Sequence, residues 1–224
     1  MLLRAFAKIN LDLRILGRRD DGYHEIKTIF QAVDWCDEIV LEPANRFEFE
    51  APGTPEDETN LVVRAVRAYE RLAGIQANVR IRVKKNIPVG RGLGGGSSDA
   101  AVTFIGLQRL FKRALPFEQV PQALRDLGSD VPFFALGGRA AGVGRGDEVY
   151  KLDDAVDYWV LLVDPGIMIP TAQAYSWLTV PDQSNTIESF GAETGSECSG
   201  DVWTNDFETP VFARYPELAE LKEE

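Results

Sequence analysis

Apolar and polar side chains alternate through the first sixteen residues. Leu3, Ala5, Ala7, Ile9, Leu11, Leu13 and Ile15 share one parity, and Arg4, Lys8, Asn10, Asp12 and Arg14 share the other. Period two predicts a strand from Leu2 to Leu16. Further strands are predicted at Thr28 to Val33, Glu38 to Glu42 and Arg46 to Ala51, the last with Phe47 and Phe49 alternating. The period then lengthens. Leu61, Val62, Ala65, Val66, Tyr69 and Leu72 form a helical stripe, with Asn60 placed to cap its start and Gly74 to stop it. Val79, Ile81 and Val83 alternate with Arg80, Arg82 and Lys84 in a half-exposed strand running to Lys85. A second helix, starting near Ser97, is expected to bury Ala101, Phe104, Ile105 and Phe111, and a third, Phe117 to Leu127, to end at Gly128 as the first ends at Gly74. Downstream the pattern predicts an extended segment from Arg139 to Tyr150 with a turn at Gly146-Asp147. A buried strand from Tyr158 to Asp164, a loop from Pro181 to Gly200 and a helix from Asp206 to Glu224 follow. Strands and helices mix without regular βαβ alternation, which is the α+β class.

Between the strand ending at Lys85 and the second helix lies Gly90-Arg91-Gly92-Leu93-Gly94-Gly95-Gly96-Ser97-Ser98. Five glycines in seven positions let the backbone adopt positive φ and approach a ligand closely, and the hydroxyls sit where a helix dipole begins. Phosphate is the natural occupant. A Walker loop would need lysine after its last glycine, where Gly96 stands. Gly90, Gly92 and Gly95 meet the dinucleotide spacing formally, but the preceding strand is half exposed, where that motif follows a buried one. A flexible linker would not run straight into an amphipathic helix.

Composition narrows the partners. The 224 residues carry 24 Lys and Arg against 35 Asp and Glu, a net charge of −11. That argues against a nucleic-acid coat or an anionic-membrane binder, so an anionic substrate needs a local cationic site. Cys36 and Cys198 have no metal spacing and do not make a secreted disulfide scaffold. Arg4, Lys8 and Asp12 interrupt any signal-peptide core, and the most apolar run, Trp159 to Val163, is too short to span a bilayer. A soluble protein of the reducing cytoplasm is expected.

Three further places carry candidate chemistry. Lys8 and Asn10 share a strand face about 7 Å apart, where they serve one ligand or merely face solvent. Asp130, in Gly128-Ser129-Asp130-Val131-Pro132, is either a helix cap or a general base. His24, the single histidine, follows Tyr23 in a polar turn. An aromatic face beside a hydrogen-bonding ring suits a nucleobase, and a bland surface turn is the alternative.

These segments share the order and spacing of one family. Ala7 to Leu11, Asp21-Gly22-Tyr23-His24, Asn60-Leu61-Val62, Pro88 to Ala101, Leu127 to Phe134 and Pro170-Thr171 resemble the 4-diphosphocytidyl-2-C-methyl-D-erythritol kinases. These are a branch of the galactokinase, homoserine kinase, mevalonate kinase and phosphomevalonate kinase (GHMP) superfamily. The resemblance runs from Leu3 to the C-terminus. It implies a two-domain α+β GHMP-kinase fold, with an N-terminal domain of the ribosomal-protein type over residues 1–150 and a ferredoxin-like C-terminal domain, partial here, over 151–224. ATP and substrate would bind in the cleft between the halves.

By the same resemblance, Pro88, Val89, Gly90, Arg91, Gly92, Leu93, Gly94, Gly95, Gly96, Ser97 and Ser98 match the ATP-phosphate loop, and Asn60 a position near the adenine. Lys8 and Asp130 match the catalytic pair. Tyr23 and His24 match the residues that stack on and hydrogen-bond cytosine, with Tyr175 expected on the base's other face. Asn10 and Thr171 would sit by the erythritol portion. The implied reaction is ATP-dependent phosphorylation of the 2-hydroxyl of the cytidine diphosphate substrate in non-mevalonate isoprenoid synthesis. Mg²⁺ would accompany ATP, with Ser97 or Ser98 the nearest hydroxyl. Two departures stand out. Arg91 occupies a place where relatives carry a small residue and is expected to point to solvent, and relatives continue past Glu224 through a second glycine- and serine-rich segment. A superfamily kinase for another small alcohol and a nucleotide-binding relative without turnover are the alternatives. A nicotinamide oxidoreductase is disfavoured, since no ribose-binding acid follows the loop.

Overall fold

The computed structural model describes residues 1–113, 115–153, 159–178 and 203–223. Two long strands open it, β1 (Leu2–Arg18) and β2 (His24–Pro43), followed by β3 (Glu48–Glu50), α1 (Leu61–Ala73), β4 (Val79–Lys84) and α2 (Gly95–Phe111). Then come α3 (Val120–Leu127), α4 (Val131–Leu136), β5 (Arg139–Val143), β6 (Glu148–Lys151), α5 (Thr171–Ser176), α6 (Glu208–Phe212) and α7 (Pro216–Glu223). The chain divides into two compact units, one of Met1–Ile9 with Ala32–Gly137 and the other of Asn10–Gln31 with Gly138–Glu224. The units interleave, where the sequence suggested one boundary near residue 150. β1 and β2, which pair with each other, are 17 and 20 residues long, and each contributes to both units.

That division explains a feature of β2. Its buried residues are Ile26, Thr28 and Phe30 in the first half and Asp37, Ile39 and Leu41 in the second. The inward parity therefore switches from even to odd. The interruption expected between Val33 and Glu38 is this change of face within one continuous strand.

In the first unit β4 lies antiparallel to β2, with Leu41 opposite Ile81 and Ile39 opposite Val83, and β3 pairs parallel to β4. β3 is only three residues long, shorter than the expected Arg46 to Ala51. The outward face of β4 is pinned by ion pairs, Arg80 to Glu48 at 2.6 Å, Arg82 to Glu42 at 2.8 Å and Lys84 to Glu38 at 3.0 Å. Such exposed pairs contribute about 0–1 kcal/mol each, so packing carries the stability. The inward residues of β2 and β4 join α1 and α2 in one core. There the fully buried Tyr69 meets Phe104 edge-on at 6.1 Å and stacks on Phe111 at 6.0 Å.

Helix ends follow local chemistry. The Asn60 side chain accepts a hydrogen bond from the Val62 N–H at 2.9 Å, and Gly74 closes α1 at φ 63°. α3 starts at Val120 rather than Phe117, with Pro121 in its first turn, and Gly128 ends it in extended conformation instead of the left-handed form of Gly74. α2 starts at Gly95, two residues ahead of Ser97, and leaves Ile105 and Phe111 only half buried.

The second unit pairs the start of β2 with β5, Ile29 opposite Ala141, and β5 with β6 across a turn at residues 144–147. Leu13 of β1 exchanges backbone hydrogen bonds with Thr204 and Asp206. Of the strand expected from Tyr158 to Asp164, Tyr158 lies outside the described residues. The rest is not a strand: no described strand pairs with it, and Trp159 and Leu161 are exposed. The Pro181–Gly200 loop and Cys198 fall outside the described residues. The helix expected from Asp206 onward is two helices, α6 and α7, because Pro216 disfavours helical backbone at Tyr215. Among the described residues, no helix is long and apolar enough to cross a membrane.

Candidate active site

The glycine loop runs into α2 with three left-handed glycines, Gly90 at φ 74°, Gly92 at 74° and Gly94 at 70°. Gly94 is required on two counts. A Cβ there would lie 2.6 Å from Phe134 Cζ and 3.2 Å from Lys8 Cγ. The loop is therefore laid against the stem of Lys8, whose backbone N–H also donates to the Leu93 carbonyl at 3.0 Å. α2 is closed from its first turn by the Ser98 N–H donating to the Gly94 carbonyl at 2.9 Å. The Ser98 side chain is buried, and its hydroxyl has no hydrogen-bond partner among the described atoms.

Lys8 Nζ and Asp130 Oδ2 lie 3.6 Å apart, an ion pair longer than a hydrogen bond, with side-chain exposures of 8% and 32%. The structure bears on two alternatives left open by residue order. The polar parity of β1 is solvated only in part: Lys8 and Asp12 are buried, while Arg4 and Arg14 are exposed. The Asp130 side chain does not cap α4: it makes no capping hydrogen bond, and its backbone is already helical. Gly128, two residues earlier, would place a Cβ 3.8 Å from the Ser97 hydroxyl. Lys8, the loop, the start of α2 and Asp130 thus converge within the first unit.

An ion cluster that residue order did not reveal supports the same helix end. Lys85 Nζ bridges Asp37 and Asp99, the latter at 2.7 Å, and all three are largely buried. Asp37 also accepts the N–H groups of Asn86 at 2.5 Å and Ile87 at 2.8 Å, fixing the chain as it enters the loop. Burial pushes the Asp99 carboxyl up to about 7, against the pull of Lys85. The neighbouring carboxylates raise Lys85 above its ordinary value despite its burial. Parity held the clue: Lys85 continues the inward series Val79, Ile81, Val83, and Asp37 leads the series Ile39, Leu41.

The second unit gathers the other candidates. His24 stacks on Tyr175 with ring centroids 5.0 Å apart, and Tyr175 meets Phe207 edge-on at 4.9 Å. Burial, with a smaller contribution from Arg18, lowers the His24 pKa below its ordinary value. Tyr23 takes the Arg145 guanidinium over its ring at 4.8 Å. Asn10 donates to the Thr28 hydroxyl at 2.6 Å, which donates to the Asp12 carbonyl at 2.6 Å. Thr171 opens α5, exposed, after Pro170. In the first unit, Asn60 has its amide engaged in capping α1 and in bonds to Pro55 and Thr54. Arg91 corrects its expectation: it is half buried with Nη1 fully enclosed, not directed into solvent.

Comparison with known proteins supplies a family. Residues 60–138 match the model for the GHMP kinases N terminal domain. The 4-diphosphocytidyl-2-C-methyl-D-erythritol kinase of Solibacter usitatus is 44% identical over an alignment of 230 residues, spanning 98% of this chain and 73% of the relative. That of Geobacter metallireducens is 37% identical over 100% of this chain and 81% of its own length. A crystal structure of 4-(cytidine 5'-diphospho)-2C-methyl-D-erythritol kinase superposes with a TM-score of 0.75 at 34% identity, covering 99% of this chain and 81% of the other. The mevalonate kinase of Methanococcus jannaschii shares the fold alone, at TM-score 0.51 and 12% identity. From these relationships, the chain belongs to the 4-diphosphocytidyl-2-C-methyl-D-erythritol kinase family of GHMP kinases.

Proposed function

We propose that this chain transfers the γ-phosphoryl group of ATP to the 2-hydroxyl of 4-diphosphocytidyl-2-C-methyl-D-erythritol, a step of non-mevalonate isoprenoid precursor synthesis. The observation that carries this reading is the 3.6 Å approach of Lys8 to Asp130 beside the glycine loop, in a chain of this family. Asp130 accepts the hydroxyl proton as the substrate oxygen bonds to the γ-phosphorus. The bond from that phosphorus to the bridging oxygen breaks, and ADP leaves with its electron pair. Lys8 offsets the negative charge that builds on the transferred group. Phosphoryl transfer asks for little more than positioning and electrostatics, so a short list of groups suffices.

The residues of the loop suit a triphosphate. Gly90 to Gly96 offer backbone N–H groups at a helix start, and Pro88, Val89 and Arg91 complete the segment. Asn60 is assigned to the adenine end. Mg²⁺ fits beside them, since the buried Ser98 hydroxyl lacks a partner among the described atoms and Ser97 offers a second oxygen. When bound, the ion neutralises phosphate charge while keeping several of its waters. In the second unit, Tyr23, His24 and Tyr175 take the cytosine, with Asn10 and Thr171 toward the erythritol.

The test is ADP release by the purified chain, coupled to NADH oxidation, with the cytidylyl substrate and with mevalonate and galactose as controls. Turnover on the cytidylyl compound alone is expected. Turnover on a control but not on that compound overturns the assignment.

A further inference from the structure

The residues assigned to the base are supported by a turn that the reaction does not use. Between β5 and β6 the chain reverses through Gly144, Arg145, Gly146 and Asp147, closed by the Gly146 N–H donating to the Val143 carbonyl at 3.0 Å. The turn is packed tightly. A Cβ on Gly146 would lie 3.0 Å from Ile26 Cδ1, and the Ile26 N–H donates to the Gly144 carbonyl at 2.8 Å. From this platform Arg145 is clamped by Asp147, whose Oδ2 accepts Nη2 at 2.6 Å and Nε at 3.2 Å while Oδ1 accepts the Arg145 backbone N–H at 3.3 Å. Asp147 is 7% exposed. The guanidinium then lies 4.8 Å from the Tyr23 ring centroid.

The backbone at Tyr23 is held independently. Its N–H donates to Asp21 Oδ1 at 3.1 Å, and its carbonyl accepts the Arg19 N–H at 2.8 Å. What this leaves undetermined is the torsion of the phenol ring, and Arg145 determines it by covering one face. Tyr23 remains 52% exposed, so its accessible surface is the edge and the opposite face.

We propose that Arg145, clamped by Asp147, is a positioning residue for base recognition: it holds the Tyr23 ring so that the uncovered face is presented to the cytosine of the substrate. This rests on the cytosine reading of Tyr23. A base stacks on an aromatic ring with a favourable energy that depends on the ring being in place, and a cation on the far face removes the cost of ordering it. Arg145 touches neither base nor phosphate in this role. Its effect passes through Tyr23.

The test is a double-substitution cycle of Arg145→Ala and Tyr23→Ala, read as kcat and as KM for each substrate, with thermal melts to confirm folding. Arg145→Ala is expected to raise KM for the cytidylyl substrate about two- to fivefold, the range of an exposed cation–π contact, with kcat and the KM for ATP unchanged. In the Tyr23→Ala background it is expected to add nothing, and Arg145→Lys recovers part of the loss. Where Arg145→Ala fails to fold, Arg145→Gln, which keeps a donor for Asp147, completes the same cycle. If Tyr23→Ala raises KM but the Arg145 substitution leaves it unchanged, or the two effects simply multiply, the inference falls while the cytosine reading stands. If Tyr23→Ala itself leaves KM unchanged, the cytosine reading falls and takes the inference with it.

Discussion

Three alanine substitutions in the glycine loop separate backbone strain, steric crowding and ligand approach. Gly92 sits at φ 74° with nothing within 4 Å of the place an added Cβ would take, so Gly92→Ala bears only the left-handed backbone cost, about 1–2 kcal/mol. Gly94 carries the same strain at φ 70° and adds a Cβ 2.6 Å from Phe134 Cζ, about 0.8 Å inside the 3.4 Å at which ordinary contact begins. Overpacking of that kind costs about 1–3 kcal/mol, so Gly94→Ala should lose about 2–5 kcal/mol in all. Gly96 lies within α2, and its Cβ would meet only Leu61 Cδ1 at 3.8 Å. Alanine suits a helix better than glycine by about 0.5–1 kcal/mol, so Gly96→Ala should stabilise the free protein. Urea unfolding of the three variants gives the order Gly96→Ala, wild type, Gly92→Ala, Gly94→Ala from most to least stable. Steady-state kinetics then read function. Gly94→Ala should depress kcat, because the crowding falls on the stem of Lys8. If the loop holds the triphosphate as proposed, Gly96→Ala should raise the KM for ATP without any loss of stability. Equal destabilisation by Gly92→Ala and Gly94→Ala would refute the packing of the loop against Phe134 and Lys8. A destabilising Gly96→Ala would refute its placement within the helix.

Three further outcomes are expected. Asp130→Asn should lower kcat by about 10²–10⁴-fold while the KM for ATP stays within a few fold; wild-type turnover in that variant removes Asp130 from proton transfer. His24 is the single histidine, so one imidazole C2–H resonance reports its titration by NMR. Its midpoint should fall below the ordinary histidine value, because burial disfavours the charged ring. The unfolded chain binds this proton more tightly than the folded one. The corresponding stability is therefore complete above the unfolded midpoint and is lost as pH falls toward the folded one. Tyr175→Ala, which uncovers the stacked ring, should move the midpoint back up, and an unmoved midpoint would show that stacking is not the source of the burial.

Much of this protein is local and was legible in residue order. The period-two face of β1, the Asn60 cap, the Gly74 stop and the loop of positive-φ glycines each depend on a few neighbouring residues. Their backbone preferences act before any long-range contact forms. Lys8 and Asp130 were legible as two candidates, but their spacing shows no pairing, since they are 122 positions apart in a sequence that leaves both capping and a solvated face open. Only folding buries Lys8, brings Asp130 to it and leaves α4 without a cap bond from the Asp130 side chain. Tertiary structure also decided that β2 turns a different face inward in each half, that no described strand pairs with Trp159 to Asp164, and that Arg91 is half buried with Nη1 enclosed. The charged cluster of Asp37, Lys85 and Asp99 belongs with these. A buried ion is tolerable only beside its counter-charges, and which residues become neighbours is a property of the packed chain rather than of any segment of it.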